Sequence, residues 1–386
     1  MTGSCFGHYL RVTTFGESHG RAVGAVVDGV PAGVRVPLCS IQSDLDRRRP
    51  GRSRFSSGRR EADLVSVLSG LGPGDMTLGS PIALVVANED ARSGDYDSIE
   101  GLLRPGHADL GHFLKYGSAP PPGGGRSSGR ETVGRVAAGA VARCFLAGFG
   151  VSIRSCTLAA GEVEAGCLDL DFAGTNPLRC PDQAVLAAME SRVDHAVAGG
   201  DSVGGIVGVF VDGLPSGLGS PVFGRLDACL AGAMLSIGAV KGIEFGSGFE
   251  LSRMSGSSAN DQLSADGPVS NRCGGILGGV STGQRVSMRL AVKPTPSIAV
   301  PQSTIDLTGK EASISVKGRH DPFLCPRIGP VAEAMAALVA ADSVLQRMTE
   351  VCPAELLSGI MNRDSRYPGG PLPARGFGRL PAIGGT

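Results

Sequence analysis

Gly24-Ala-Val-Val-Asp-Gly-Val-Pro-Ala-Gly33 returns much later as Gly208-Val-Phe-Val-Asp-Gly-Leu-Pro-Ser-Gly217, with Gly, Val, Asp, Gly, Pro and Gly in register. Each copy is an apolar, β-branched run closed by a Pro-x-Gly turn, the signature of a strand and its exit. Two such units predict a duplicated core with internal pseudo-symmetry; chance likeness of two strand–turn units is the competing reading. Outward from this pair, strands are predicted at residues 81–87, 150–158 and 286–292. Helices are predicted at residues 61–71, 182–198, 221–237 and 331–348. Strands and helices mix without regular alternation, which predicts an α+β fold. No clean linker breaks the chain, so one large domain is expected over residues 1–361. A Gly-, Pro- and Arg-rich tail follows over 362–386.

The chain has 386 residues, 42% hydrophobic and 19% charged, with a formal net charge of zero. That composition is globular and gives no general attraction to nucleic acid or an anionic membrane. No run of 18 apolar residues and no basic-then-apolar leader is visible, so neither a spanning helix nor a signal peptide is expected. The ten cysteines include no Cys-x-x-Cys pair. They read as reduced thiols of a cytoplasmic protein, without a zinc site or a disulfide frame.

Chemistry concentrates in Gly123-Gly-Gly-Arg-Ser-Ser-Gly-Arg-Glu-Thr132. Glycines let backbone approach a bound group, and Arg126 and Arg130 carry planar forks suited to phosphate or carboxylate. Ser127, Ser128 and Thr132 can cap a helix or donate to oxygen. Val133, Val136, Ala137, Ala140, Val141, Cys144 and Phe145 then trace the apolar stripe of a helix, whose N-terminus favours anions. No Gly-Lys-Ser/Thr follows, so this is not a Walker loop. Arg47, Arg48, Arg49, Arg52, Arg54, Arg59 and Arg60 form a second cationic cluster, broken by Pro50-Gly51. With only Phe55 as an aromatic neighbour it reads as a clamp on a small anion; a polyanion-binding arm is the rival. His107 and His112 are five apart, off the spacing of a helical zinc pair, and no metal site is expected. Lys293-Pro-Thr-Pro-Ser297 ends a strand with a cation and two hydroxyls, a second phosphate seat.

Taken in order, Phe15-Gly-Glu-Ser-His-Gly20, Asp46-Arg-Arg-Arg-Pro-Gly51, Arg104-Pro-Gly-His-Ala-Asp109, Gly125-Arg-Ser-Ser-Gly-Arg-Glu-Thr132, Lys293–Ser297 and Gly318-Arg-His-Asp-Pro322 resemble the chorismate synthase family from about residue 7 to about 350. The resemblance implies a β-α-β sandwich with pseudo-twofold symmetry and a homotetramer. It implies conversion of 5-enolpyruvylshikimate 3-phosphate to chorismate and phosphate, with reduced FMN and no net redox change. NADPH enters only if the chain reduces its own flavin. By resemblance His19, His107 and Asp321 move protons, Asp321 taking one from flavin N5. Ser18, Arg48, Arg54 and Arg130 line the substrate. Arg48, Arg54, Arg126, Ser127, Ser128, Gly238, Ala239, Gly278, Lys293, Pro294, Thr295, Pro296, Ser297 and Arg319 bind the flavin cofactor. The chain departs from the family pattern at Ser118–Pro122, Gly129 and Gly238, the last where asparagine is common. A flavin-using redox enzyme is the second rival, separated by its stoichiometric consumption of a donor.

Overall fold

The computed structural model describes residues 3–51, 55, 61–89, 101–265, 267–316 and 321–350. Two five-stranded antiparallel sheets enclose a layer of helices. The first sheet contains β1 (Cys5–Phe6), β2 (Arg11–Gly16), β3 (Ala22–Asp28), β4 (Val65–Ser69) and β5 (Ile82–Ala87), in the order β1-β2-β3-β5-β4. The second contains β6 (Ser152–Ala160), β7 (Val163–Glu164), β8 (Gly205–Asp212), β9 (Val240–Phe245) and β10 (Val286–Val292), in the order β9-β10-β8-β6-β7. The two halves of the repeat are β3 and β8, and each is the middle strand of its sheet. Their matched aspartates do the same job. Asp28 pairs with Arg11 at 3.3 Å, and Asp212 with Arg285 at 2.6 Å. The predicted pseudo-symmetry and the β-α-β sandwich are therefore what the chain adopts.

Between the sheets lie α1 (Leu38–Arg48), α3 (Thr132–Ala147), α5 (Leu226–Leu235) and α6 (Cys325–Glu350), while α2 (Asp109–Tyr116) and α4 (Gln183–Ala198) lie in the connections. The central pair, α3 and α6, packs α3 on β3 and α6 on β6 and β8. The main hydrophobic cluster runs through both sheets and the helices between them, from Val23 and Val27 through Val136, Val141 and Leu338 to Val209 and Val211. The predicted stripe of α3 is in fact buried nearly all round, as a helix between two layers must be. Helix α6 is long and apolar enough to cross a membrane, but 94% of its most apolar window is buried in this sandwich. It also starts six residues before the predicted 331 and runs through Pro330, whose missing N–H falls within the first two turns.

The central helices touch at Gly139. A Cβ there would sit 2.3 Å from the Ala334 Cβ and 2.5 Å from its Cα. Gly139→Val should therefore overpack the helix pair and destabilise by about 1–3 kcal/mol or more, read as a lower urea midpoint at unchanged slope. An unchanged midpoint would show that the two helices can separate at no cost.

Two sequence expectations are corrected. Residues 61–71 form no helix; Val65–Ser69 is the edge strand β4. Val65 is buried while Leu64 and Leu68 are 64% and 68% exposed, which fits alternation across a sheet edge. The helix expected over 221–237 is confined to Leu226–Leu235. The expected tail, with Arg52, Arg54, Arg59, Arg60, Arg319 and His320, lies outside the described residues.

Candidate active site

A cavity of about 820 Å³ opens at one end of the helical layer. There the N-terminal ends of α3 and α6 meet the C-terminal ends of α1 and α5. Small-molecule sites commonly span about 300–1,000 Å³, so one or two ligands of coenzyme size are within reach. Its walls carry Arg48, Arg104, Arg126, Arg130, Arg135, Lys241, Lys293 and Arg327, against Glu61, Glu131 and Asp321. An anionic ligand matches that balance.

The triple glycine explains how two histidines come together. Gly123 and Gly124 have φ of +65° and +83°, and a Cβ on each would meet an imidazole: His19 Cε1 at 2.4 Å, His107 Cε1 at 3.1 Å. The glycines are thus required by conformation and by close approach. His107 lines the cavity; His19 does not itself line it but packs on Gly123, which does. Asp109 Oδ1 lies 2.6 Å from His107 Nδ1. A carboxylate there accepts the Nδ1–H and leaves Nε2 as the nitrogen available to a ligand. Asp109 also accepts from Arg104 Nε at 2.7 Å and NH2 at 2.9 Å. Burial opposes its charge, yet the hydrogen bonds from His107 and Arg104 hold its carboxyl well below the usual range. His112 turns away: its ring meets Tyr116 at 4.8 Å and Ser118 Oγ at 3.5 Å.

The arginines are less free than their sequence suggests. Arg48, the last residue of α1, is 1% exposed and donates to Asp63 Oδ2 at 2.6 Å. Arg130 donates to Asp63 Oδ1, to Asn88 Oδ1 at 2.7 Å and to the Ala87 carbonyl at 3.1 Å. Arg126 stitches the glycine loop to β2 through the Gly16 carbonyl at 3.0 Å and Thr14 Oγ1 at 2.7 Å. Burial pushes the Arg48 guanidinium down to about 10, against the pull of Asp63. A carboxylate already stands at the entrance of α3: Glu131 accepts from Thr14 Oγ1 at 2.9 Å and Arg135 Nε at 2.9 Å. Ser128 caps the preceding turn by accepting from the Arg130 N–H at 3.4 Å, and Ser127 is exposed at the cavity wall.

The opposite wall is the exit of β10. Lys293 Nζ donates to the Gly106 carbonyl, tying this strand end to the His107 turn. Thr295 Oγ1 donates to the Asp321 carbonyl at 2.6 Å, and Ser297 is buried at the wall. Asp321, 7% exposed, is ion-paired through Oδ2 with Arg327. Gly238 leaves open space where a side chain would project, so the wall is recessed there. The residue after it, Ala239, has a φ of +73° and gives its carbonyl to the Lys293 N–H at 2.9 Å.

The sequence profile of the chorismate synthase family matches residues 10–345. A chorismate synthase of Syntrophobacter fumaroxidans is 52% identical over 345 residues, covering 89% of this chain and 98% of that protein. One from Methanosarcina mazei is 52% identical over 355 residues, covering 90% and 97%. A crystal structure of chorismate synthase superposes with a TM-score of 0.72 at 31% identity, over 89% of this chain and 94% of that one.

The chain belongs to the chorismate synthase family.

Of the residues that the chorismate synthase resemblance singles out, Ser18, Arg48, His107, Arg126, Ser127, Ser128, Arg130, Gly238, Ala239, Lys293, Thr295, Pro296, Ser297 and Asp321 share this one cavity. Gly278 lies in the tight turn between Ile276–Leu277 and Val280–Ser281, and Pro294 is exposed; neither lines the cavity. Arg54 and Arg319 fall outside the described residues. Sequence reasoning missed Asp63, Lys241 and Arg327. Asp63 acts across tertiary distance and carries no local motif, whereas Arg327 lies six residues from its partner Asp321 and Asp109 two residues from His107, close enough for spacing to have signalled them.

Proposed function

We propose that this chain eliminates phosphate from 5-enolpyruvylshikimate 3-phosphate to give chorismate, with reduced FMN and no net redox change. The carrying observation is the convergence of a carboxylate-held His107, Asp321 and the arginines on one cavity. The substrate bears a phosphate and two carboxylates, which suits the cationic lining. Asp109 holds the His107 ring through Nδ1–H, so that in the imidazolium form its Nε2–H can pass to the departing phosphate oxygen, leaving the neutral imidazole. Asp321, ion-paired with Arg327 at the wall, is the group that takes a proton from the flavin by the family resemblance. Lys293, Ser297 and the recess at Gly238 fit a ligand that pairs a phosphate with a broad ring, as FMN does. Bound reduced FMN supplies the electron density needed to remove an unactivated ring hydrogen. NADPH joins only if the chain reduces its own flavin. No disulfide joins the nine cysteines among the described residues, which fits a reducing compartment, so we place the protein in the cytoplasm. Exposed apolar side chains such as Phe223 (96%) and Leu114 (75%) fit assembly of several copies, which we carry over as a tetramer.

The test is anaerobic incubation of the protein with substrate and reduced FMN, assaying chorismate and phosphate. Equimolar products with no flavin consumed are expected, and no turnover with oxidised FMN alone. Full turnover in flavin-free buffer overturns the cofactor assignment; stoichiometric flavin oxidation favours a redox enzyme.

A further inference from the structure

Asp63 stands behind the cavity wall. Its side chain is fully buried, its φ is +50°, and its two oxygens accept from two different cavity-lining arginines. The arginines come from separate elements, the end of α1 and the turn before α3, so one carboxylate sets their relative placement. They do not depend on it equally. Arg130 keeps Asn88 Oδ1 at 2.7 Å and the Ala87 carbonyl at 3.1 Å, with Glu61 at 3.7 Å. Among the described residues Arg48 otherwise has only the Gly129 carbonyl and Thr132 Oγ1, each at 3.3 Å, and its buried Nε has no acceptor among them. Its one short contact among the described residues is Asp63 at 2.6 Å.

We propose that Asp63 is the positioning residue of the anion seat, holding the Arg48 fork in place at the cavity wall. This rests on the functional reading above. It differs in sign from simple charge balance. Removing a carboxylate from beside an anion site makes the site more positive, and by Coulomb attraction alone the anion binds tighter. Positioning predicts the opposite, because a guanidinium that is not held loses its charge-assisted contact. Burial works against the Asp63 charge, but Arg48 and Arg130 hold its carboxyl below the usual range, so the carboxylate persists at neutral pH.

The experiment compares parent, Asp63→Asn, Arg48→Met and the double variant in anaerobic turnover with reduced FMN, at folded fractions checked by circular dichroism. Asp63→Asn should raise KM about tenfold or more, the loss of one charge-assisted contact, with a smaller change in kcat. The double variant should be no worse than Arg48→Met, since Asp63 acts through Arg48. A KM within twofold of the parent, or lower, overturns the proposal, and so do effects that multiply in the double variant. If Asp63→Asn does not fold, Asp63→Glu keeps the charge and displaces the fork; an unchanged KM in it is equally fatal. Calorimetric titration with inorganic phosphate reads the seat without turnover. Weaker phosphate binding in Asp63→Asn upholds the assignment even if the parent makes no chorismate, an outcome that would overturn the reaction alone.

Discussion

Replacing His107 by alanine is expected to lower turnover by about 10²–10⁴-fold, the range for losing positioned acid–base assistance. Fold and FMN affinity should survive. The ring is 17% exposed, packs on a glycine, and makes a short polar contact with Asp109. Anaerobic single turnover, following phosphate release, separates this from a binding defect. His112→Ala is the control, because its ring faces Tyr116 and Ser118 and not the cavity. Asp109→Asn should also slow turnover, since it weakens the hold on His107 Nδ1 and on Arg104 together. If His107→Ala releases phosphate within threefold of the parent rate, the proton donor must be sought elsewhere in the wall.

Glu333→Ala is expected to cost about 3 kcal/mol of unfolding free energy, toward the lower end for breaking a buried ion pair. Glu333 is buried in α6 and joins three other elements. It accepts from both Arg47 forks at 2.7 Å, from Arg143 at 2.9 Å and from Ser155 Oγ at 2.7 Å. The estimate stays low because Arg47 and Arg143 are 27% and 31% exposed and keep Asp44 as a partner. Burial raises the Glu333 carboxyl, but Arg47, Arg179 and Arg143 outweigh it and hold it below the usual range. A depressed carboxylate stabilises the fold above its unfolded value and loses that contribution as pH falls through the folded one. Asp63 and Asp109 have the same sign. Stability should therefore be flat above about pH 5 and fall steadily below about pH 4, where unfolded carboxylates begin to bind protons. Urea unfolding of parent and variant at pH 7, and of the parent between pH 3 and 6, checks both statements. A parent equally stable at pH 3 and pH 6, or a variant as stable as the parent, would remove the network from the stability of the sandwich.

Much of this protein was legible along the chain, because its signals are local. Strand β10 was read with its own bounds, Val286–Val292, and α4 to within one residue, with Asp182 accepting from the Ala184 N–H at 2.9 Å as its cap. The repeat of Gly24–Gly33 in Gly208–Gly217 carried the pseudo-symmetry, since both copies had to fill the middle of a sheet. The ordered motifs carried the family, and the site residues they imply largely meet in one cavity. Where the reading failed, a short apolar run was the cause. Residues 61–71 contain valines and leucines at spacings that fit either period, and only the edge of the first sheet made them a strand.

The partners of the charges could be decided only in three dimensions. Arg47 and Arg48 are neighbours in sequence and look alike as anion forks. A helix turns consecutive residues about 100° apart, so Arg47 reaches the core carboxylate Glu333 while Arg48 reaches the cavity wall and Asp63. The packing of His19 on Gly123 and of His107 on Gly124 depends likewise on packed layers that local sequence does not encode. The sequence determined which chemistry this chain carries. The sandwich decided which charges are spent on holding the fold and which are left facing a ligand, because desolvation and partnering are properties of the packed interior.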